Sequence, residues 1–185
     1  MTDRLTSLDQ IESRLWLEMS QACADKSHPW RTPVLATVSG EAADARTVVV
    51  REVDVRQRQL LIYSDERAGK VAQLLHHANG TVVMWSPALG WQLRLRVRLS
   101  LETTGLSASS RWARIKLSPA AQDYLSPLAP GTPLTQEHAQ RDATVERQYF
   151  SVICADVTSI DWLELHAQGH RRALFESGGR TWLQP

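Results

Sequence analysis

The sequence predicts a mainly β (α+β) chain, an antiparallel β-barrel with peripheral helices. Three observations carry that expectation. Trp91, Leu93, Leu95, Val97, Leu99 and Leu101 alternate without a break against Gln92, Arg94, Arg96, Arg98, Ser100 and Glu102, which is the period of a strand with one core face. Short runs rich in β-branched residues recur between turn residues along the chain. Helical periods are brief and few, the clearest being Leu8, Ile11, Leu15, Met19 and Ala22.

The elements follow in order. A helix over about residues 7–24 ends before "SHPWRTP". "VLATVS" and "RTVVVREVD" are strands joined by "GEAADA", and "LLIYS" follows, giving an antiparallel meander. "DERAGKVAQLLHHANG" reads as a helix capped by Ser64 or Asp65, with Val71, Leu74, Leu75 and Ala78 on one face and a stop at Asn79-Gly80. "TVVMW" and "WQLRLRVRLSLE" form a second hairpin across "SPALG". Helical turns are expected in "SASSRWARIKL" and in "SPAAQDYL", where Ser118 suits the cap and Pro119 the first turn. The Pro-rich "SPLAPGTPL" and a weakly helical "TQEHAQRDATVERQ" lead to the strands "YFSVICADV", "IDWLELHA", "RRALFE" and "RTWLQ", the last two joined by a turn at Ser177-Gly178-Gly179. These elements make one domain over residues 1–185: the helix, a barrel core over about 33–104, a helical and loop insertion over about 107–148, and terminal strands over about 149–185.

With 21 Lys+Arg against 20 Asp+Glu, a net charge of +1 argues against a general polyanion binder and for a small anion at most, so no nucleic acid is expected. Cys23 and Cys154 stand alone, without metal-ligand or redox spacing, as in a reducing compartment. No leader pattern and no apolar run of membrane length is present, so the expectation is a cytoplasmic chain without membrane contact.

Several chemistries lack their patterns: no Rossmann or P-loop glycines, no nucleophile elbow and no His-Glu zinc helix. His166 and His170 are four apart, but Gly169 interrupts them, and no metal is expected. His76-His77 suits the negative end of its helix. The run "ARTVVVREVD" is more telling, because consecutive valines ask for cover on both faces while Arg46 and Arg51 hold charge at its ends. Buried or half-buried cations need anions. The helix that follows "LLIYS" aims free N–H groups and a positive dipole end outward, with Ser64, Arg67 and Lys70 in reach. That outline suits a phosphate site, and equally a capped helix with surface charges.

The segments "RTVVVR", "IYSDERAGKVAQL" and "VVMWSPALGWQLRLRV" resemble, in order and spacing, the FMN-binding core of the pyridoxine/pyridoxamine 5'-phosphate oxidase family. The C-terminal "IDWLELHAQGHRRALF" looks like a degenerate copy of that family's closing motif, so the resemblance runs from about Pro33 to the end. It implies a split β-barrel and a homodimer with FMN at the interface. It further implies that Arg46 and Lys70 hold the FMN phosphate, and that the backbone of Thr47, Val48 and Val49 lies along the flavin ring. Arg51 stands where the family has lysine, and Tyr63 and Ser64 where it has Tyr-Thr. Gln92 matches a flavin-facing glutamine, Trp162 a tryptophan near the ring, and Arg172 the arginine that ends the motif.

The departures shape the functional expectation. Ala68-Gly69-Lys70 replaces the family's Ser-Arg-Lys, leaving Arg67 to compensate if it turns inward. Gln168 replaces an arginine expected to contact pyridoxal phosphate, while His170 is kept, and the Tyr, Arg and Ser that grip the substrate phosphate have no match. The resemblance therefore implies a divergent FMN-dependent oxidoreductase acting on a small molecule, with Arg51 and His170 as candidate substrate contacts and pyridoxamine phosphate disfavoured. The alternatives are a flavin carrier or sensor without turnover, or a barrel that binds a deazaflavin or haem.

Overall fold

Helix α1 (Leu8–Ala24) opens at Ser7, whose Oγ accepts the Gln10 N–H. Its Ile11, Leu15 and Met19 are fully buried, because the apolar positions recur every three or four residues and face the barrel. The computed structural model describes residues 4–134 and 149–185; "TQEHAQRDATVERQ" lies outside the described residues.

The strands are β1 (Val34–Ser39), β2 (Ala42–Thr47), β3 (Val50–Asp54), β4 (Gln59–Asp65), β5 (Asn79–Ser86), β6 (Trp91–Glu102), β7 (Phe150–Glu164), β8 (Arg171–Glu176) and β9 (Gly179–Leu183). They form one antiparallel sheet in the order β2-β1-β5-β6-β7-β4-β3, with β8 on β7 and β9 on β8. β7 splits it: opposite β6, its first half pairs with β4 and its second half with β8. This is a split barrel. Helix α2 (Gly69–His76) lies between β4 and β5, and α3 (Gly105–Ile115) follows β6. Among the described residues no helix is long and apolar enough to cross a membrane.

The alternation in β6 sets its register. Trp91, Leu93, Leu95, Val97 and Leu99 are all buried, and burial of each large apolar side chain contributes about 1.5–3 kcal/mol. An exposed ion pair on the arginine face contributes about 0–1 kcal/mol, so the apolar face decides the pairing. A one-residue slip would turn all five outward.

Four local expectations are corrected. "RTVVVREVD" is two strands: β2 pairs with β1 and β3 pairs with β4, so the chain crosses from one edge of the sheet to the other at Val48-Val49, where the Val48 N–H bonds Pro33 O. The valines are covered because they bridge two walls. Ser64 and Asp65 belong to β4, opposite Ser151 and Phe150, and α2 starts only at Gly69, with Ala68 at its cap, and ends at His76 because Asn79-Gly80 begins β5. Ser118 places no side-chain cap on the turn Pro119–Tyr124; its Oγ donates to Ile115 O. The two strands expected in 149–165 are one, since continuous pairing with β6, broken by a single bulge near Arg96, leaves no turn.

Candidate functional site

The crossing at Val48-Val49 leaves a cleft of about 310 Å³ beside it. Thr32, Thr47, Val48 and Val49 form one side, and Val49 belongs to neither flanking strand ladder. Arg51 enters from β3 at a bulge between Val50 and Glu52, a backbone irregularity that re-aims a side chain. Tyr63, Ser64 and Asp65 come from the end of β4, and Ala68 and Lys70 from the start of α2. The remaining wall is Asp123, Tyr124 and Pro130.

The cleft brings two cations, Arg51 and Lys70, beside two carboxylates, Asp123 and the Asp65 that Arg67 neutralises. Ala68 gives α2 no side-chain cap, so the first N–H groups of the helix keep their donor capacity toward the cleft. Burial pushes the Lys70 ammonium below the usual lysine range, and the Arg46 guanidinium nearby pushes it further, with Asp65 opposing. Arg51 sits 5.9 Å from the centre of the Tyr63 ring, and its charge acts on the nearby Tyr124 phenol. Among the described residues neither Lys70 nor Arg51 has a carboxylate in salt-bridge contact.

The tyrosines are held protonated. Burial, then a hydrogen bond from Tyr63 Oη to Glu52 Oε1 at 2.7 Å, raises the Tyr63 phenol well above its ordinary value. Burial also raises Tyr124, although Arg51 counteracts it. Burial alone would raise Glu52, but the bonds from Tyr63 and from both Arg111 Nε and Arg111 Nη2, each of these two at 3.1 Å, hold its carboxyl below the usual range.

Thr47, Val48, Val49, Arg51, Tyr63, Ser64 and Lys70, all named from the sequence, thus meet at one cleft. The other named residues do not line it. Arg46 lies between β1 and α2, donating to Leu35 O at 3.2 Å, to Thr37 Oγ1 and to Gln73 Oε1 at 2.8 Å, and it pairs with Asp44. Arg67 stays outside the lining and closes onto Asp65, which belongs to it. Gln92 and Arg172 share one row of the sheet, Trp85–Gln92–Leu163–Arg172, on its outer face. Trp162 belongs to the adjacent inward row between Leu93 and Ala173 and is 0% exposed, packed 5.5 Å from Trp91, so it presents no ring to a ligand. The His170 and His166 Nδ1 atoms each accept a backbone N–H within their own turn, from His166 and Gln168 respectively. The wall of Asp123, Tyr124 and Pro130 carried no periodicity or motif that would mark it in the sequence.

Residues 13–102 match the family model described as pyridoxamine 5'-phosphate oxidase, FMN-binding domain. Over that segment, just under half of its length, the chain is similar to this family. The pyridoxamine 5'-phosphate oxidase-type segment runs from α1 to β6 and supplies both cleft cations, whereas Asp123, Tyr124 and Pro130 lie beyond it. No curated protein sequence matches the chain. Among solved structures, a pyridoxamine 5'-phosphate oxidase-related, FMN-binding protein from Nostoc punctiforme is similar with a TM-score of 0.72 at 21% identity, over 98% of this chain and 100% of that one. PhzG from Burkholderia lata, solved in complex with tetrahydrophenazine-1-carboxylic acid, gives 0.73 at 15% identity, over 99% and 95%. A haem-binding protein from Mycobacterium smegmatis gives 0.51 at 14% identity, over 86% and 57%. At these identities the likeness is one of fold, the split barrel.

Proposed function

We propose that the cleft binds FMN and that the chain is an FMN-dependent oxidoreductase acting on a small molecule. The observation that carries this reading is the meeting of Lys70, Arg51 and the uncapped start of α2 at one cleft inside the segment that matches an FMN-binding domain. The donors suit the cofactor: Lys70 and the Gly69 and Lys70 N–H groups at the start of α2 are a phosphate set, while the Ser64 hydroxyl donates to Asp65 O, and the unpaired backbone at Val49 offers polar edges to a heteroaromatic ring. Bound flavin would supply the two-electron chemistry.

The chain's own residues would then bind and orient. Lys70 would hold the phosphate, and Arg51, placed beside the Tyr63 ring, would put positive charge where negative charge develops on reduction. The two tyrosines, kept neutral, would act as walls rather than proton donors. A second copy is proposed to cover the outer face where Val34, Val83 and Trp85 sit beside Gln92 and Arg94; Trp85 is 43% exposed there. That pairing would bring Gln92 and Arg172 to a shared interface. Sedimentation of the chain as a monomer at micromolar concentration would oppose it.

Haem is less well served by this cleft, since among its described lining residues none is His, Cys or Met, and the Tyr63 hydroxyl is committed to Glu52. A deazaflavin or a carrier without turnover would use the same donors. The deciding test adds FMN to the purified chain, removes the excess and records the visible spectrum. Stoichiometric retention of oxidised flavin supports the reading, and subsequent bleaching by a panel of amines and reduced nicotinamides separates an enzyme from a carrier. A colourless chain refutes it.

A further inference from the structure

Arg67, which the sequence placed within reach of a phosphate at the start of the helix, does something else. Its Nε reaches Asp65 Oδ1 at 3.0 Å and its Nη2 reaches Asp65 Oδ2 at 2.6 Å, a two-point grip on a buried carboxylate at the end of β4. The remaining N–H groups of the same guanidinium face three successive carbonyls, Nη2 sharing its second hydrogen between Ser126 O at 2.9 Å and Leu128 O at 3.3 Å, and Nη1 reaching Pro127 O at 3.3 Å. The plane lies 3.3 Å from the centre of the Tyr149 ring. One planar fork therefore ties β4 to a segment far along the chain, and only arginine carries enough donors in one plane to do so.

The segment it ties is the one that walls the cleft. Asp123 and Tyr124 precede the three carbonyls and Pro130 follows them. Tyr124 is anchored besides, through the Tyr149 N–H to its carbonyl at 2.9 Å and by its ring against Phe150. Among the described residues the hydrogen bonds that join 126–128 to the barrel come from Arg67, whereas Leu128 N–H to Ser126 Oγ closes a local turn. Arg67 also neutralises Asp65, a carboxylate that faces the cleft close enough to act on Lys70.

We infer that Arg67 is a positioning residue that fastens residues 119–130 onto the end of β4, so that the cleft's outer wall is held by a cation lying outside the cleft. The part of this inference that concerns ligand retention rests on the FMN reading; the fastening itself does not.

The test compares the full-length chain with Arg67→Gln and Arg67→Lys. Hydrogen exchange without added FMN is expected to rise about tenfold or more in peptides spanning 119–134 of Arg67→Gln, the equivalent of one lost charge-assisted hydrogen bond, with β4 and β7 unchanged. Arg67→Lys, which keeps the charge but not the fork, is expected to restore only part of the protection. Unchanged exchange in 119–134, or an equal rise throughout the barrel, overturns the inference. Where Arg67→Gln abolishes folding, the lysine variant is read by the same criteria. In chains loaded with FMN, release is expected to be about tenfold faster in Arg67→Gln, and an unchanged rate beside a loosened segment also overturns it. A wild-type chain that takes up no FMN defeats the functional reading alone, and the exchange data then decide the role of Arg67.

Discussion

Tyr63 Oη donates to Glu52 Oε1 at 2.7 Å, and Glu52 receives Arg111 from α3 on its other side. The phenol that walls the cleft is thereby fixed from behind by a helix outside the family-matched segment. Tyr63→Phe removes one hydrogen bond to a charged acceptor while the ring and its 5.0 Å contact with Phe150 remain. The expected loss is about 1.5 kcal/mol, read as a lower urea midpoint at constant m. The contribution of Glu52 has a definite pH window. Its folded pKa is lowered, so the stabilisation is present above the carboxyl's ordinary range and is lost as pH falls through the folded value. Tyr63→Phe should therefore differ most from wild type at neutral pH, and the two should converge in acid.

Glu164 organises the opposite end of the barrel. It is buried, accepts Arg171 Nε at 2.8 Å, Arg171 Nη2 at 2.9 Å and Trp91 Nε1 at 3.2 Å, and bonds Arg4 Nε at 2.7 Å. Glu164→Gln leaves two half-buried guanidinium groups without their anion. Breaking one side of a buried pair typically costs 3–5 kcal/mol, and partial exposure of both arginines places the expected loss near 3 kcal/mol. Chemical denaturation of the variant checks it. A loss below about 1 kcal/mol would mean that water already screens the cluster.

The fold could be read from the sequence wherever one face of an element is buried, as in α1, where the period shows in the spacing of Ile11, Leu15 and Met19, and in β6. It was harder to read where tertiary pairing overrides local pattern. Nothing in "RTVVVREVD" says that the chain leaves one edge of the sheet at Thr47 and joins the other at Val50, because each half is locally a good strand. Ser64 and Asp65 have the chemistry of helix caps, yet pairing with β7 keeps them in β4. Of the cleft, Lys70 and Ser64 were named because a helix after a strand has a local grammar, although α2 starts at Gly69 rather than after Ser64 or Asp65. Asp123, Tyr124 and Pro130 were not, since a wall made by an irregular segment reaches the cleft only through long-range contacts such as those of Arg67.

Lys70 gives the proposed phosphate site a proton linkage. Burial and Arg46 lower its pKa in the free chain, and a bound phosphate would raise it again. Affinity for FMN should thus be full below the free-chain pKa of Lys70 and decline as pH rises through it. Titration of FMN fluorescence quenching across the alkaline range would show this slope, and Lys70→Met should abolish it. The same variant should weaken binding by about 1.5–3 kcal/mol, roughly 10- to 150-fold, as expected for one lost charge-assisted bond. A flat pH profile in the wild type would place the phosphate elsewhere.

Arg46 poses the sharpest conflict between resemblance and geometry. By resemblance it holds the phosphate, and Arg46→Ala should then weaken FMN binding as severely as Lys70→Met. In the structure its guanidinium is occupied by Thr37, Gln73 and Asp44, and what reaches the cleft is its charge, which lowers Lys70. On that geometry Arg46→Ala removes a repulsion from Lys70 as well as a cation from the phosphate's surroundings, and the two effects oppose each other. The expected result is less than about tenfold weaker binding together with a shift of the Lys70-dependent pH profile toward higher pH. A loss equal to that of Lys70→Met, with the profile unmoved, would mean that Arg46 leaves its network and grips the phosphate directly.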